Sequence, residues 1–274
     1  MRHITDCTIL NNGVTMPWLG LGTYLAKGNE VYEAVKTAIE LGYRSIDTAS
    51  AYGNEEEVGR AIAESNVARN ALFVTTKVWN DDQGYDKTLR AFEASQKRLG
   101  LNVIDLYLIH WPGRDKYKDT WKALERLYDE GSVRAIGVSN FQVHHLKELM
   151  KDSNVVPAVN QIELHPRMIQ QELQDFCGAQ GIQVEAWSPL MKGKLQDNTT
   201  LVGMAQKYNK TTSQVILRWG IQNKIVVIPK SISPSRIKEN ADIFDFELSQ
   251  DELKQIDALN QDKRIGTDPD KNLF

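Results

Sequence analysis

Short apolar runs alternate with longer amphipathic stretches along almost the whole chain. Residues 103–110 are the clearest run, because Ile104, Leu106, Leu108 and Ile109 leave almost no polar face, as in a strand buried on both sides. Comparable runs at 19–23, 44–47, 72–77, 133–139, 157–161, 182–187 and 224–228 read as further strands. Between them the apolar residues recur at helical spacing. Val31, Ala34, Val35 and Ala38 share one face of a helix over 30–41, and Leu89, Phe92 and Leu99 belong to another over 85–99. Trp121, Leu124 and Tyr128 mark a helix over 119–129. The remaining helices are expected over 55–63, 143–150, 171–179, 201–208 and 213–221, and from Pro234 onward. Two features stand outside this alternation. Asn11-Asn12-Gly13 between apolar residues predicts a hairpin over 7–18. Ser249 with Glu252 forms a capping box that opens a last helix, striped by Leu253, Ile256 and Leu259 and expected outside the repeat.

The pattern gives eight strands, each followed by helix, and so predicts an α/β fold: a (β/α)8 TIM barrel formed by one domain over residues 1–274. An open, doubly wound sheet is the runner-up. Its best support would be a dinucleotide fingerprint, but Gly20-Leu21-Gly22-Thr23-Tyr24-Leu25 lacks the third glycine.

The 274 residues carry a net charge of -3, which offers no basic surface for nucleic acid. The first residues lack the long apolar run of a signal peptide, and no stretch is apolar for long enough to span a bilayer, so a cytoplasmic protein without membrane contact is expected. The two cysteines, Cys7 and Cys177, are too few for a disulfide scaffold and read as free thiols. His144 and His145 are adjacent on a helix and are expected on separate faces at the surface, while His165 before Pro166 reads as structural. No histidine or cysteine spacing matches a metal centre, so no metal is expected. Trp18, Trp121 and Trp219 read as packing residues.

Barrel enzymes place their chemistry where strands end. The polar residues expected there are Asp47 with Tyr52 just beyond, Lys77, His110, Ser139-Asn140, Gln161 and Trp187-Ser188. Buried Asp and Lys are costly unless paired, so their convergence points to a site. The set suits carbonyl reduction. Tyr52 would give a proton to the developing alkoxide, and Lys77, held by Asp47, would lower the phenol's pKa. Neutral His110 would orient the carbonyl oxygen.

Several segments resemble the aldo-keto reductase family. They are Gly42-Tyr43-Arg44-Ser45-Ile46-Asp47-Thr48-Ala49 with Tyr52, Asn54 and Glu55, then Thr75-Thr76-Lys77-Val78-Trp79 and Asp105-Leu106-Tyr107-Leu108-Ile109-His110-Trp111-Pro112. Ile136-Gly137-Val138-Ser139-Asn140-Phe141, Ile228-Pro229-Lys230-Ser231 and the stretch from Arg236 to Asn240 complete the set, in order over nearly the whole chain. Within the family the likeness is strongest to bacterial reductases of glyoxal, methylglyoxal and 2,5-diketo-gluconate. The resemblance implies an NADPH-dependent reductase with a catalytic tetrad of Asp47, Tyr52, Lys77 and His110. It implies that Ser139, Asn140 and Gln161 hold the nicotinamide carboxamide, that Trp187 stacks on the ring where many relatives carry tyrosine, and that Gly22-Thr23, Ser188 and Leu190 add cofactor contacts. A monomer is the family's common state.

At the cofactor's other end, Ser233 and Pro234 open a helix whose start attracts anions. Lys230, Ser231 and Arg236 surround it, which suits the 2′-phosphate of NADPH, with Glu239 and Asn240 toward adenine. Trp79, His110 and Trp111 would wall a pocket for a small-molecule substrate: an aldehyde, an α-dicarbonyl or a keto-sugar. The loop over 111–118 is short, and the tail over 268–274 is within reach of that pocket. A Schiff-base aldolase using Lys77 and a non-enzymatic NADPH-binding, redox-sensing subunit are the alternatives.

Overall fold

The computed structural model describes residues 1–113 and 116–271. Parts of two expectations, the loop over 111–118 and the tail over 268–274, therefore lie outside the described residues. An antiparallel hairpin of β1 (Cys7–Ile9) and β2 (Thr15–Pro17) comes first, turning through Gly13 at φ 84. The barrel strands follow: β3 (Gly20–Gly22), β4 (Ser45–Asp47), β5 (Phe73–Val78), β6 (Ile104–Ile109), β7 (Val133–Ser139), β8 (Val159–Glu163), β9 (Gln183–Trp187) and β10 (Val226–Val227). They form one parallel sheet in sequential order from β3 to β10. Parallel bridges Leu19↔Val227 and Gly22↔Lys230 bring its two edges together. Gly22 is needed at that seam, since a Cβ there would come 2.8 Å from the Ile228 carbonyl.

The helices are α1 (Gly28–Glu40), α2 (Glu55–Ala63), α3 (Tyr85–Leu99), α4 (Tyr117–Asp129), α5 (Val143–Met150), α6 (Gln171–Ala179), α7 (Thr199–Tyr208), α8 (Thr212–Gln222), α9 (Pro234–Ala241) and α10 (Gln250–Asp257). Both α7 and α8 fall between β9 and β10, and α10 packs on α7 outside the barrel. The Ser249–Glu252 capping box forms as expected. All residues of β5, β6 and β8 are buried, the core lying both inside the barrel and between strands and helices. Trp18, Trp121 and Trp219 are packed in the core, and Cys7 and Cys177 are free thiols. No helix among the described residues is long and apolar enough to cross a membrane.

Two strands depart furthest from the expected ranges. β8 runs two residues beyond the expected Gln161, because Glu163 is not a loop residue: its carboxylate is buried and hydrogen-bonded at the strand end. The last barrel strand is much shorter than the 224–228 run, since beyond Val227 the chain meets the barrel through single contacts, the Ile228 amide to the Ala186 carbonyl, the Pro229 carbonyl and the Lys230 bridge.

Candidate active site

Gly22, Asp47 and Thr75 are register partners across β3, β4 and β5. Lys77 lies two residues beyond Thr75 and so shares its face. The Lys77 side chain is fully buried. Its Nζ donates to Asp47 Oδ1 at 2.7 Å, to Asp47 Oδ2 at 2.8 Å and to the Thr48 carbonyl at 2.8 Å. These contacts match its three N–H donors, so the ammonium has a partner for each. Tyr52 follows on the short 3₁₀ turn Ser50–Tyr52, which Gly53 ends at φ 63 and Ser50 Oγ pins to the Lys77 carbonyl at 3.0 Å. Its ring centroid stands 5.1 Å from Lys77 Nζ. His110, just past β6, faces Tyr52 edge-on at 5.6 Å between ring centroids, and Trp79 flanks the imidazole at 5.1 Å. Asp47, Tyr52, Lys77 and His110 are thus gathered at one end of the barrel.

Their proton affinities follow from burial and from each other. Burial opposes the Lys77 charge most strongly of any single influence, but Asp47, Tyr52 and Glu185 together outweigh it and the ammonium is held more firmly than usual. Burial, then the Lys77 charge, keeps the His110 imidazole well below the ordinary histidine range and therefore neutral. Its Nδ1 is buried without a partner among the described residues. Burial pushes the Tyr52 phenol up to about 12; Lys77 pulls the other way and does not prevail. The expected net lowering of that pKa is therefore corrected: desolvation exceeds the pull of Lys77, and Tyr52 stays protonated at neutral pH.

Beside the tetrad, Ser139 Oγ donates to the Gln161 carbonyl at 2.8 Å. Asn140, held at φ 66, donates from Nδ2 to the His110 carbonyl at 2.9 Å and accepts the Trp187 indole N–H at 2.8 Å. The Trp187 ring is partly exposed and fixed by that bond. Gln161 Nε2 donates to Asp47 Oδ2 and to Glu185 Oε2, each at 2.7 Å. Ser188, at φ 50, and Leu190 lie in the turn after β9, where Ser188 is half-buried. The backbone amides of Gly22 and Thr23 are committed within the barrel, to Pro229 and Asp47 carbonyls.

A second group lies where β10 leads into α9. Lys230 and Arg236 are exposed, Ser231 is buried, and Pro234 occupies the first turn of α9, which has no side-chain cap. The start of α9 is thus open to an anion between two cations. Asn240 is buried, and Glu239 Oε1 accepts from Thr211 Oγ1 at 2.8 Å. Of the expected pocket walls, Trp79 stands against His110, and half-buried Trp111 accepts from Gln83 Nε2 through its carbonyl at 2.7 Å.

Sequence reasoning missed three residues. Tyr24, 55% exposed, packs on Tyr52 with centroids 5.1 Å apart. Glu185 is fully buried beside Gln161. Glu163 receives the amides of Ile265 at 2.6 Å and Gly266 at 3.0 Å and pairs with buried His165 at 3.0 Å. For both glutamates the available signal was a carboxylate inside an otherwise buried strand. Through Glu163 the C-terminal segment is drawn onto the barrel, so close that a Cβ on Gly266 would meet the Trp187 ring at 2.3 Å. Removing the anchor with Glu163→Leu should speed tryptic cleavage after Arg264 by at least about tenfold, since hydrogen bonds to a charge are each worth about 1.5–3 kcal/mol. Unchanged cleavage in a timed digest would show that the segment is held elsewhere.

The same segment corrects the expectation for His144 and His145. Their rings lie 3.9 Å apart and both approach Asp270, at 3.2 and 3.9 Å from its Oδ1. They lie in the first turn of α5, where His145 can fold back to accept the Gln142 N–H on Nδ1. That bond leaves the ring proton on Nε2, the atom that would have to face an ion. These three are the one group of potential metal ligands among the described residues.

A barrel with a buried lysine–aspartate pair beneath a tyrosine and a neutral histidine defines a class, and the chain belongs to the Aldo/keto reductase family, which it matches over residues 18–261. It is 62% identical to the glyoxal reductase of Bacillus subtilis (strain 168), over 99% of both chains. Among solved structures it is similar to MGS-M4, an aldo-keto reductase from a Medee basin deep-sea metagenome library, with TM-score 0.96 and 52% identity over 97% of this chain and 100% of that one. It is likewise similar to Gox0644, solved as a point mutant in complex with NADPH, with TM-score 0.94 and 44% identity over 98% of this chain and 99% of that one.

Proposed function

We propose that the chain is an NADPH-dependent reductase of small carbonyl compounds, α-dicarbonyls of the glyoxal and methylglyoxal kind foremost, with Tyr52 as the proton donor. The observation that carries it is the buried Asp47–Lys77 pair beneath Tyr52, with neutral His110 edge-on to the same ring. When bound, NADPH supplies the hydride. The residues present fit it. Gln161 Oε1 accepts from no described residue and offers the carboxamide a partner, and the open start of α9 between Lys230 and Arg236 suits a phosphate. Ser139, Asn140 and Gln161 would hold the nicotinamide end, with Trp187 against the ring. Ser231, Arg236 and Lys230 would hold the 2′-phosphate.

The chain's own groups then account for the proton. The substrate oxygen lies between the Tyr52 hydroxyl and the His110 imidazole, which stays neutral and orients it by a hydrogen bond. As negative charge grows on that oxygen, Tyr52 releases its proton to it, and Lys77, itself charged, steadies the phenolate until water restores the proton. Trp79 and Trp111 give the pocket apolar walls that suit aldehydes and keto-sugars as well. The aldolase alternative is disfavoured by the state of Lys77, whose charge is held by Asp47 and whose amine is not free to attack a carbonyl.

The test is NADPH oxidation by the purified protein against a panel of glyoxal, methylglyoxal, simple aldehydes and keto-sugars. Steady turnover with α-dicarbonyls is expected. Binding of NADPH without turnover on any of them would favour the redox-sensing subunit instead. Arg236→Ala should raise KM for NADPH about tenfold or more, the worth of a charge-assisted hydrogen bond, and change KM for NADH less than about twofold. Equal changes for the two cofactors would place the 2′-phosphate elsewhere.

A further inference from the structure

Glu185 is wholly buried on β9, where its Cα is in register with Gln161 of β8 on one side and Val226 of β10 on the other. Side chains of register partners stand side by side on the same face of a sheet. Glu185 Oε2 therefore reaches Gln161 Nε2 at 2.7 Å, and the same nitrogen reaches Asp47 Oδ2 at 2.7 Å. Two carboxylate oxygens converging on one amide atom require a donor there, which fixes which end of the Gln161 amide is nitrogen. The other end, Oε1, is thereby turned away from both acids and accepts from no described residue. Glu185 Oε1 is itself buried with no partner among the described residues. Burying a carboxyl so incompletely satisfied is costly, and an apolar residue would pack the same strand without that cost.

We propose that Glu185 is a positioning residue for the nicotinamide: with Asp47 it grips the Gln161 side-chain nitrogen, so that Gln161 Oε1 is presented as a fixed acceptor to the carboxamide N–H of the cofactor. This rests on the reductase reading of the site. Asp47 alone cannot hold the amide as well, because its oxygens are shared with Lys77. Burial, then the Asp47 charge, pushes the Glu185 carboxyl up to about 8. Near neutral pH it can carry a proton on the unpartnered Oε1 and still accept on Oε2, so the grip does not require a second negative charge beside Asp47.

The test is a pair of binding titrations, by quenching of tryptophan fluorescence, with NADPH and with 2′-phospho-ADP-ribose, which lacks the nicotinamide. In Glu185→Leu, NADPH binding should weaken about 3- to 10-fold, the worth of one hydrogen bond, while 2′-phospho-ADP-ribose binding stays within about twofold. Glu185→Gln keeps an acceptor at the same place and should restore NADPH binding to near the unaltered value. Glu185→Met, a slimmer apolar side chain, replaces the leucine variant if that does not fold. Equal weakening for both ligands, no weakening for either, or a glutamine variant as poor as the leucine one would each overturn the proposal. Turnover is the independent readout: kcat should fall along with NADPH affinity in the leucine variant, because a ring displaced by about 1 Å can cost 10²-fold. Failure of the unaltered protein to bind NADPH at all would instead sink the reductase reading itself.

Discussion

Tyr52→Phe should leave NADPH affinity within about twofold of the unaltered protein and lower kcat for glyoxal by at least roughly 10²-fold, toward the 10⁴-fold limit of positioned proton transfer. The substitution removes one oxygen and keeps the ring, so the packing against Tyr24 and the edge contact with His110 survive. His110 does not take over easily. Burial keeps it neutral, so its proton is less readily given than that of an imidazolium. Stopped-flow measurement of hydride transfer separates the two quantities: undiminished transfer with phenylalanine in place would mean that the proton comes from elsewhere. The high pKa of Tyr52, about 12, does not argue against its role. An alkoxide is a far stronger base than a phenolate, and a phenol that stays protonated at neutral pH is ready in every molecule.

Lys77→Met should be the most disruptive single change in the barrel. It leaves Asp47 fully buried with only the Gln161 amide to meet its charge, and breaking one half of a buried pair typically costs about 3–5 kcal/mol. For a chain of this size that corresponds to a fall in Tm on the order of 10 °C. Activity should be lost as well, since nothing remains to steady the Tyr52 phenolate. The double variant Asp47→Asn with Lys77→Met distinguishes the two effects. Removing both charges should recover much of the lost Tm, because a buried pair replaced by neutral groups is often tolerated, but should recover none of kcat. A double variant that regained activity would show the ammonium to be structural only.

The barrel was legible because its strands are buried on both faces: runs such as Ile104–Ile109 have no polar stripe, and the helices between them do. The gathering of Asp47, Lys77 and His110 was legible because each interrupts or ends such a run, where a charge or imidazole is expensive. What could not be read was the outcome of competing interactions. Lys77 does pull the Tyr52 pKa down as expected, but the net shift is upward because desolvation of the phenol, which depends on what encloses it, exceeds the pull of the ammonium. The strand expected over 157–161 left Glu163 out because the partners of its carboxylate, the amides of Ile265 and Gly266, come from a segment far along the chain. The approach of His144 and His145 to Asp270 was hidden for the same reason. Glu185 was visible as a lone acid in a strand, but its meaning depends on the register that sets it beside Gln161.

The most direct measurement is a crystal structure with NADP⁺ and an unreactive oxygen-bearing analogue of glyoxal. The analogue's oxygen is expected within about 2.6–3.2 Å of both the Tyr52 hydroxyl and the His110 imidazole, with the nicotinamide against Trp187. An oxygen seated against Lys77, or anywhere out of reach of Tyr52, would contradict the assignment of the proton to that phenol.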